Sequence, residues 1–184
     1  MESMRAIMCI DPGKSTGVAW AIVNERHRGY AWEAVRDRQQ SESCTLTGPE
    51  PEQIRALYKL WVAFKRRCVI KGQMEPNWID LVMEDFVLFP GEKPGRDTTI
   101  AERVAWGLEG YRMAMYDQHR PHADPPLRHI SPTVWQQSGA AHRFKNDREL
   151  MEKAGCWIRG REHERSAFSH MLLRTNVLMD RILA

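Results

Sequence analysis

The run CIDPGKSTGVAWAIV, from Cys9 to Val23, constrains the fold of this chain more than any other stretch. An apolar segment ends at Asp11, a Pro-Gly pair turns the chain at once, and a second apolar segment follows. That spacing predicts two strands, Arg5–Ile10 and Val18–Val23, joined by a tight turn. A carboxylate is expensive to bury without partners, so its place at a strand end needs a reason. One reason is local: an Asp before Pro-Gly is a common turn residue, its side chain bonding the backbone N–H groups that follow. A second depends on what lies beside it.

Tyr30–Val35 reads as a third strand of a meander, and Asp37–Pro51, rich in Ser, Thr, Gly and Pro, as a loop. From Glu52 to Val69, Ile54, Leu57, Tyr58, Trp61 and Val62 recur at helical spacing. Trp78–Met83 (WIDLVM) fits a short buried strand that ends at Glu84, much as the first ended at Asp11. FVLFPGEKPGRD carries two Pro and two Gly and reads as an exposed loop. A helix follows over Thr98–Gln118, capped by Thr98. Leu127–Ser131 reads as the last strand, and Thr133–Ser138, Asp147–Ala154 and Glu162–Leu183 as helices. Strands first and helices interspersed later predict a mixed α/β sheet with helices on its faces.

Asp11 and Glu84, far apart in sequence, each terminate a predicted buried strand. Neighbouring strands lie ~4.8 Å apart, so two such ends bring carboxylates to one point. Convergent carboxylates repel unless one is protonated or a cation bridges them. A magnesium-type ion, which prefers oxygen ligands, relieves that repulsion. Glu84 taken alone fits a solvated strand end; the pairing is what favours metal.

The remaining features set bounds. At 184 residues, with 42% hydrophobic and 28% charged, the chain has the size and composition of one globular domain, residues 1–184. No apolar run approaches the ~20 residues of a membrane span, and MESMRAIMCIDPG lacks signal-peptide features. Cys9, Cys44, Cys68 and Cys156 are scattered, without metal-knuckle spacing, which suits a reduced, cytoplasmic protein. A net charge of +3 and a pI near 8.7 are compatible with nucleic acid as partner.

Four segments in order carry a resemblance. IDPGKSTG resembles the first motif of RuvC-type Holliday junction resolvases of the ribonuclease H-like superfamily, and LVMEDF their second, a strand ending in a catalytic glutamate. HISPTVWQQSGA is similar to their Ser-Pro strand-turn-helix segment. REHERSAFSHMLL resembles the closing helix, where phage members often read His-x-x-Asp-Ala-x-x-x-His. The resemblance implies a ribonuclease H-like mixed β-sheet flanked by α-helices. It also implies an endonuclease that uses Mg²⁺ or Mn²⁺ to cut four-way DNA junctions in recombination and repair, usually as a homodimer. No membrane or small-molecule cofactor is implied. Asp11 and Glu84 match the metal-binding carboxylates, and two ions ~4 Å apart suit an in-line phosphodiester displacement.

The chain departs from that pattern twice. Ser166 stands where the family has a metal-binding aspartate; His163 at i−3 and His170 at i+4 share its face, and Glu162 at i−4 reaches the same region. Glu164 points elsewhere by helical angle. The expected site is therefore Asp11, Glu84 and His163, with Glu162 as a further ligand and manganese favoured by the imidazole. The family lysine after Ser-Pro is also missing, and His142, Arg143 or Lys145 are the candidate replacements. For DNA contact, Phe86, Phe89, Lys93 and Arg96 after Glu84 combine rings for stacking with cations for phosphate, although Phe86 equally fits core packing. Lys65, Arg66, Arg67 and Lys71 read as a helix terminus matched to its dipole. Two other functions stay open: a domain that binds branched DNA but has lost cutting through Ser166, and an actin-like or sugar-kinase phosphate loop. The last requires a second phosphate loop and a longer chain.

Overall fold

The computed structural model describes residues 4–24, 30, 33, 35, 41–68, 79–84, 96–119, 133–135, 146–157 and 159–183; at 41, 79, 84, 96–98, 109, 112–119, 133–135 and 179–183 only the backbone is described. β1 (Met4–Asp11) and β2 (Thr16–Asn24) form an antiparallel hairpin across the Pro-Gly turn, with Asp11 opposite Gly17. β3 (Ser41–Leu46) continues the meander, antiparallel to β2. After helix α1 (Glu50–Arg66), β4 (Ile79–Glu84) returns parallel to β1 on its other side. Helix α2 (Arg96–His119) precedes β5 (Thr133–Trp135), which is parallel to β4. The short α3 (Arg148–Lys153) and the long α4 (Glu162–Leu183) complete the chain. The five-stranded order β3-β2-β1-β4-β5 makes a mixed sheet flanked by helices, the α/β architecture expected.

Strand alternation gives the sheet two apolar faces. Ala6, Met8 and Ile10 of β1, Val18 of β2, and Leu81 and Met83 of β4 meet Leu57, Trp61 and Phe64 of α1 and Val104 and Leu108 of α2. The intervening residues Ile7, Cys9, Ala19, Ala21, Val23 and Val82 meet Ala167, Phe168, Met171, Leu172 and Leu178 of α4, with Met151 of α3. The α4 set recurs at i, i+1, i+4 and i+5, the stripe of a helix lying on a sheet. Each such Leu, Met or Phe contributes about 1.5–3 kcal/mol by leaving water. No helix among the described residues is long and apolar enough to cross a membrane.

Local chemistry fixes the helix ends. α1 starts at Pro49-Glu50-Pro51, where proline forfeits no helical hydrogen bond. Glu50 and Glu52 begin it and Lys65 and Arg66 end it, matching the helix dipole. The Asp147 side chain accepts from Leu150 N at 2.9 Å and caps α3. α1 and α2 pack closely because Gly107 leaves room for Ile54, which a Cβ there would overlap. Tyr58 and Tyr111 meet edge-on with centroids 4.7 Å apart, and Arg103 forks onto Glu50 with two 2.7 Å bonds.

Several expectations need correction. The third strand is Ser41–Leu46, inside the expected loop, whereas Glu33 and Val35 of the expected strand are helical. β3 is an edge strand, and its Ser43 and Thr45 hydroxyls meet a polar partner on α4 rather than an apolar core, so it lacks the hydrophobic alternation that marks a strand. Thr133–Trp135, expected to open a helix, is strand β5; its pairing with Val82–Glu84 overrides the local pattern. The expected strand Leu127–Ser131 lies outside the described residues. Thr98 does not cap α2, which already begins at Arg96. A dimer of the kind the resemblance implies cannot use the large apolar residues Trp61 and Phe64 of α1, which are buried in the chain's own core.

Candidate active site

Asp11 ends β1 on the α4 side of the sheet, in the same alternation as Ile7 and Cys9. It is the last β1 residue before the Pro-Gly turn, where the chain leaves the sheet. That turn is held from below. Gln53 of α1, buried among apolar neighbours, donates to the carbonyls of Lys14 at 3.0 Å and Gly48 at 2.9 Å. Its carbonyl accepts from the Thr16 hydroxyl at 2.6 Å. One amide thus ties the β1–β2 turn to the β3–α1 link, using both of its N–H donors and its carbonyl, as a buried polar group requires.

Above the sheet, the first turn of α4 lies directly on β2. A Cβ at Gly17 would overlap the carbonyl of His163, so only glycine lets the helix start sit beside the register partner of Asp11. That approach sends four consecutive side chains four ways. Glu162 turns to solvent, 3.6 Å from Arg165. His163 reaches Asp11, with Nδ1 3.5 Å from Oδ2; the carboxylate is 12% exposed and the imidazole 48%. Glu164 turns under β3. Arg165 lies over the Trp157 ring, 4.7 Å from its centroid.

Farther along α4, Arg174 donates to Asp80 Oδ2 through Nε at 2.9 Å and Nη2 at 2.7 Å, and Arg5 stands 3.7 Å from Oδ1. This buried ion pair joins α4 to β4 and β1. Beneath it, burial first and the Asp80 charge second push the Cys9 thiol well above its usual range, which makes it a packing residue and not a nucleophile.

The expected residues fare differently. Asp11 and His163 come together. Glu84 follows Met83, which pairs with Ile10, so its backbone stands beside Asp11 on the neighbouring strand; its side chain lies outside what is described. Glu162 has Arg165, not Asp11, as its described partner. Ser166 and His170 are buried where α4 packs on the sheet. Phe86, Phe89, Lys93, His142, Arg143 and Lys145, and the side chain of Arg96, lie outside the described residues.

A carboxylate oxygen and an imidazole nitrogen 3.5 Å apart at a cleft edge fit one divalent ion that takes both oxygen and nitrogen ligands, the manganese class. Among the described residues no group of three or more His, Cys, Asp or Glu completes such a site.

Two residues escaped the sequence. Glu164 is buried, accepting from Ser43 Oγ at 2.5 Å and Thr45 Oγ1 at 3.0 Å, with Arg161 Nη1 at 3.3 and 3.4 Å. The signal for it was the alternate hydroxyls of SESCTL, legible only once that segment is known as a strand. Gln53 carried a signal too, a polar residue four before Leu57 on the apolar stripe of α1.

No family model matches the chain, and no curated protein does. Solved structures similar to it include Thermus thermophilus RuvC in complex with a Holliday junction substrate, at 14% identity over 96% of both chains with a TM-score of 0.48. Another is the Thermus thermophilus RuvC structure, at 13% identity, 96% of both chains and a TM-score of 0.49.

Proposed function

We propose that this chain is a metal-dependent endonuclease that cuts branched DNA, a four-way junction resolvase acting as a homodimer. The observation that carries the reading is the approach of His163 to Asp11, on the strand beside Glu84. The four motifs that resemble RuvC-type resolvases supply the substrate class. Asp11, Glu84 and His163 hold Mg²⁺ or Mn²⁺, which supplies charge stabilisation at the phosphate and an activated water. The chain's own part is positional. The Gln53 clasp and the Gly17 contact fix the carboxylate and the imidazole against each other, so little reorganisation remains at the moment of reaction. Phe86, Phe89, Lys93, Arg96, Arg143 and Lys145 serve as DNA contacts around that centre. A closed dimer presents two such centres to the two-fold symmetric junction.

The test is incubation of the purified protein with an end-labelled four-way junction and Mg²⁺ or Mn²⁺, beside Asp11→Asn and Glu84→Gln. Metal-dependent nicks near the branch point, absent with both variants, are expected. Tight junction binding without any cutting would leave the alternative, a binding domain that lost catalysis through Ser166. Sedimentation of the protein with and without junction checks the dimer, and a persistent monomer in both would refute it.

A further inference from the structure

An open groove of about 510 Å³ leads from His163 toward β3. Ser15 stands on one wall, Ser43 and Thr45 on another, and Gly160 and Arg161 at its lip, with Glu164 beneath. Nothing in the Asp11–His163 pairing requires this groove. We propose that it is the path of a DNA strand's sugar–phosphate backbone leading away from the site, with Arg161 and Ser15 contacting a phosphate. The inference rests on the nuclease reading and adds to it a binding surface on the β3 side, away from the loop that follows Glu84.

Two acids line the groove and are the first objection, since a carboxylate repels phosphate; Glu162, on the rim, is exposed and stands 3.6 Å from Arg165. Glu164, however, is 2% exposed and has its oxygens engaged by Ser43, Thr45 and Arg161. The base of that pair is 58% exposed, so the acid lies below and the cation faces the opening. Arg161 makes both contacts to Glu164 through Nη1. A guanidinium carries five N–H donors in a planar fork, so Nε and Nη2 are outside that pair and suited to a phosphate oxygen.

Two exposed cations flank the groove. Lys14 precedes Ser15 and is exposed, as is Arg159, which precedes Gly160. Gly160 has φ +75°, and a Cβ there would meet nothing, so the lip is open to an approaching backbone. Hydroxyls and guanidinium groups are the usual partners of phosphate and sugar, and they position a strand without reading its bases. The groove offers no large apolar or aromatic anchor of the kind that carries protein–protein binding. Small-molecule pockets are mostly apolar and enclosed, and this one is neither.

The experiment measures affinity for a fluorescent four-way junction against KCl concentration, in a Glu84→Gln background so that cutting does not intervene. Loss of one phosphate contact lowers the log–log salt slope by about 0.9 and the affinity about fivefold at 0.15 M salt. Arg161→Gln is expected to show both changes. Glu164→Gln breaks the same ion pair but keeps the cation, and is expected to leave slope and affinity at the parent's values. An unchanged slope in Arg161→Gln would overturn the inference, and so would equal weakening by both variants, which would assign Arg161 to holding α4. If the parent binds no DNA of any shape, the nuclease reading fails and this inference fails with it.

Discussion

At the scale of single residues, an imidazole, that of His163, and not a second carboxylate, is the described partner of Asp11. An imidazole beside a nearly buried carboxylate binds a divalent ion less strongly than two carboxylates do, and it favours manganese over magnesium. We therefore expect cleavage in Mn²⁺ to exceed that in Mg²⁺. His163→Ala should abolish it and weaken Mn²⁺ binding, read by electron paramagnetic resonance, about tenfold or more, each 1.4 kcal/mol of lost attraction being a factor of ten. Ser166 is buried one turn later, and Ser166→Asp should change Mn²⁺-dependent cutting little if His163 already serves. An inert native protein that gains Mg²⁺-dependent cutting from Ser166→Asp would show that the serine, not the histidine, decides activity.

At the scale of elements, the site is a joint between β1 and the first turn of α4. Gly17→Ala places a methyl against backbone that cannot yield, so the helix start must lift off the sheet. A loss of about 1–3 kcal/mol in denaturant unfolding is expected, as for overpacked cores, together with loss of cleavage. Undiminished cleavage would mean that the joint is slack. Arg174 pins the same helix farther along. Arg174→Met leaves the mostly buried Asp80, among the described residues, with the longer contact to Arg5, and about 3 kcal/mol of destabilisation is expected, the lower end for a broken buried pair.

Cys44, on β3, reports on Glu164 from the side. Burial first and the Glu164 charge second raise its thiol above the usual range. Glu164→Gln removes the second cause, lowers that pKa and increases the thiolate fraction at pH 8, so alkylation by iodoacetamide should speed up. Cys68, raised to about 11 by burial, serves as the slow reference within the same chain. An unchanged Cys44 rate would separate the thiol from the carboxylate.

For the whole molecule, the central sheet was legible because its strands are apolar on both faces: β1, β2 and β4, and helices α1 to α4, fall close to their expected spans. The edges were not. β3 is polar because its partner on α4 is a carboxylate, and β5 is three residues long, too short for any period to register. Asp11 could be singled out by its position before Pro-Gly, and His163 only through the resemblance of the closing helix to the family's motif. Glu164 was set aside by helical angle, which locates a side chain on its own helix but not the strand that meets it. Trp106, 73% exposed on α2, is a long-range matter of the same kind, since nothing local to that helix says what faces it.

Asp11 and His163 come from nearly opposite ends of the sequence, and Glu84 from between them. The β1–β2–β3 meander closes over short separations and can form early, whereas α4 must return across most of the chain, and such distant contacts form late. During synthesis, which runs at ~5–20 residues per second, Asp11 is present well before His163 exists. A nascent or half-folded chain thus carries a nearly finished sheet with no working centre. On the proposed nuclease function, a centre built from Asp11, Glu84 and His163 would be complete only once the closing helix has docked.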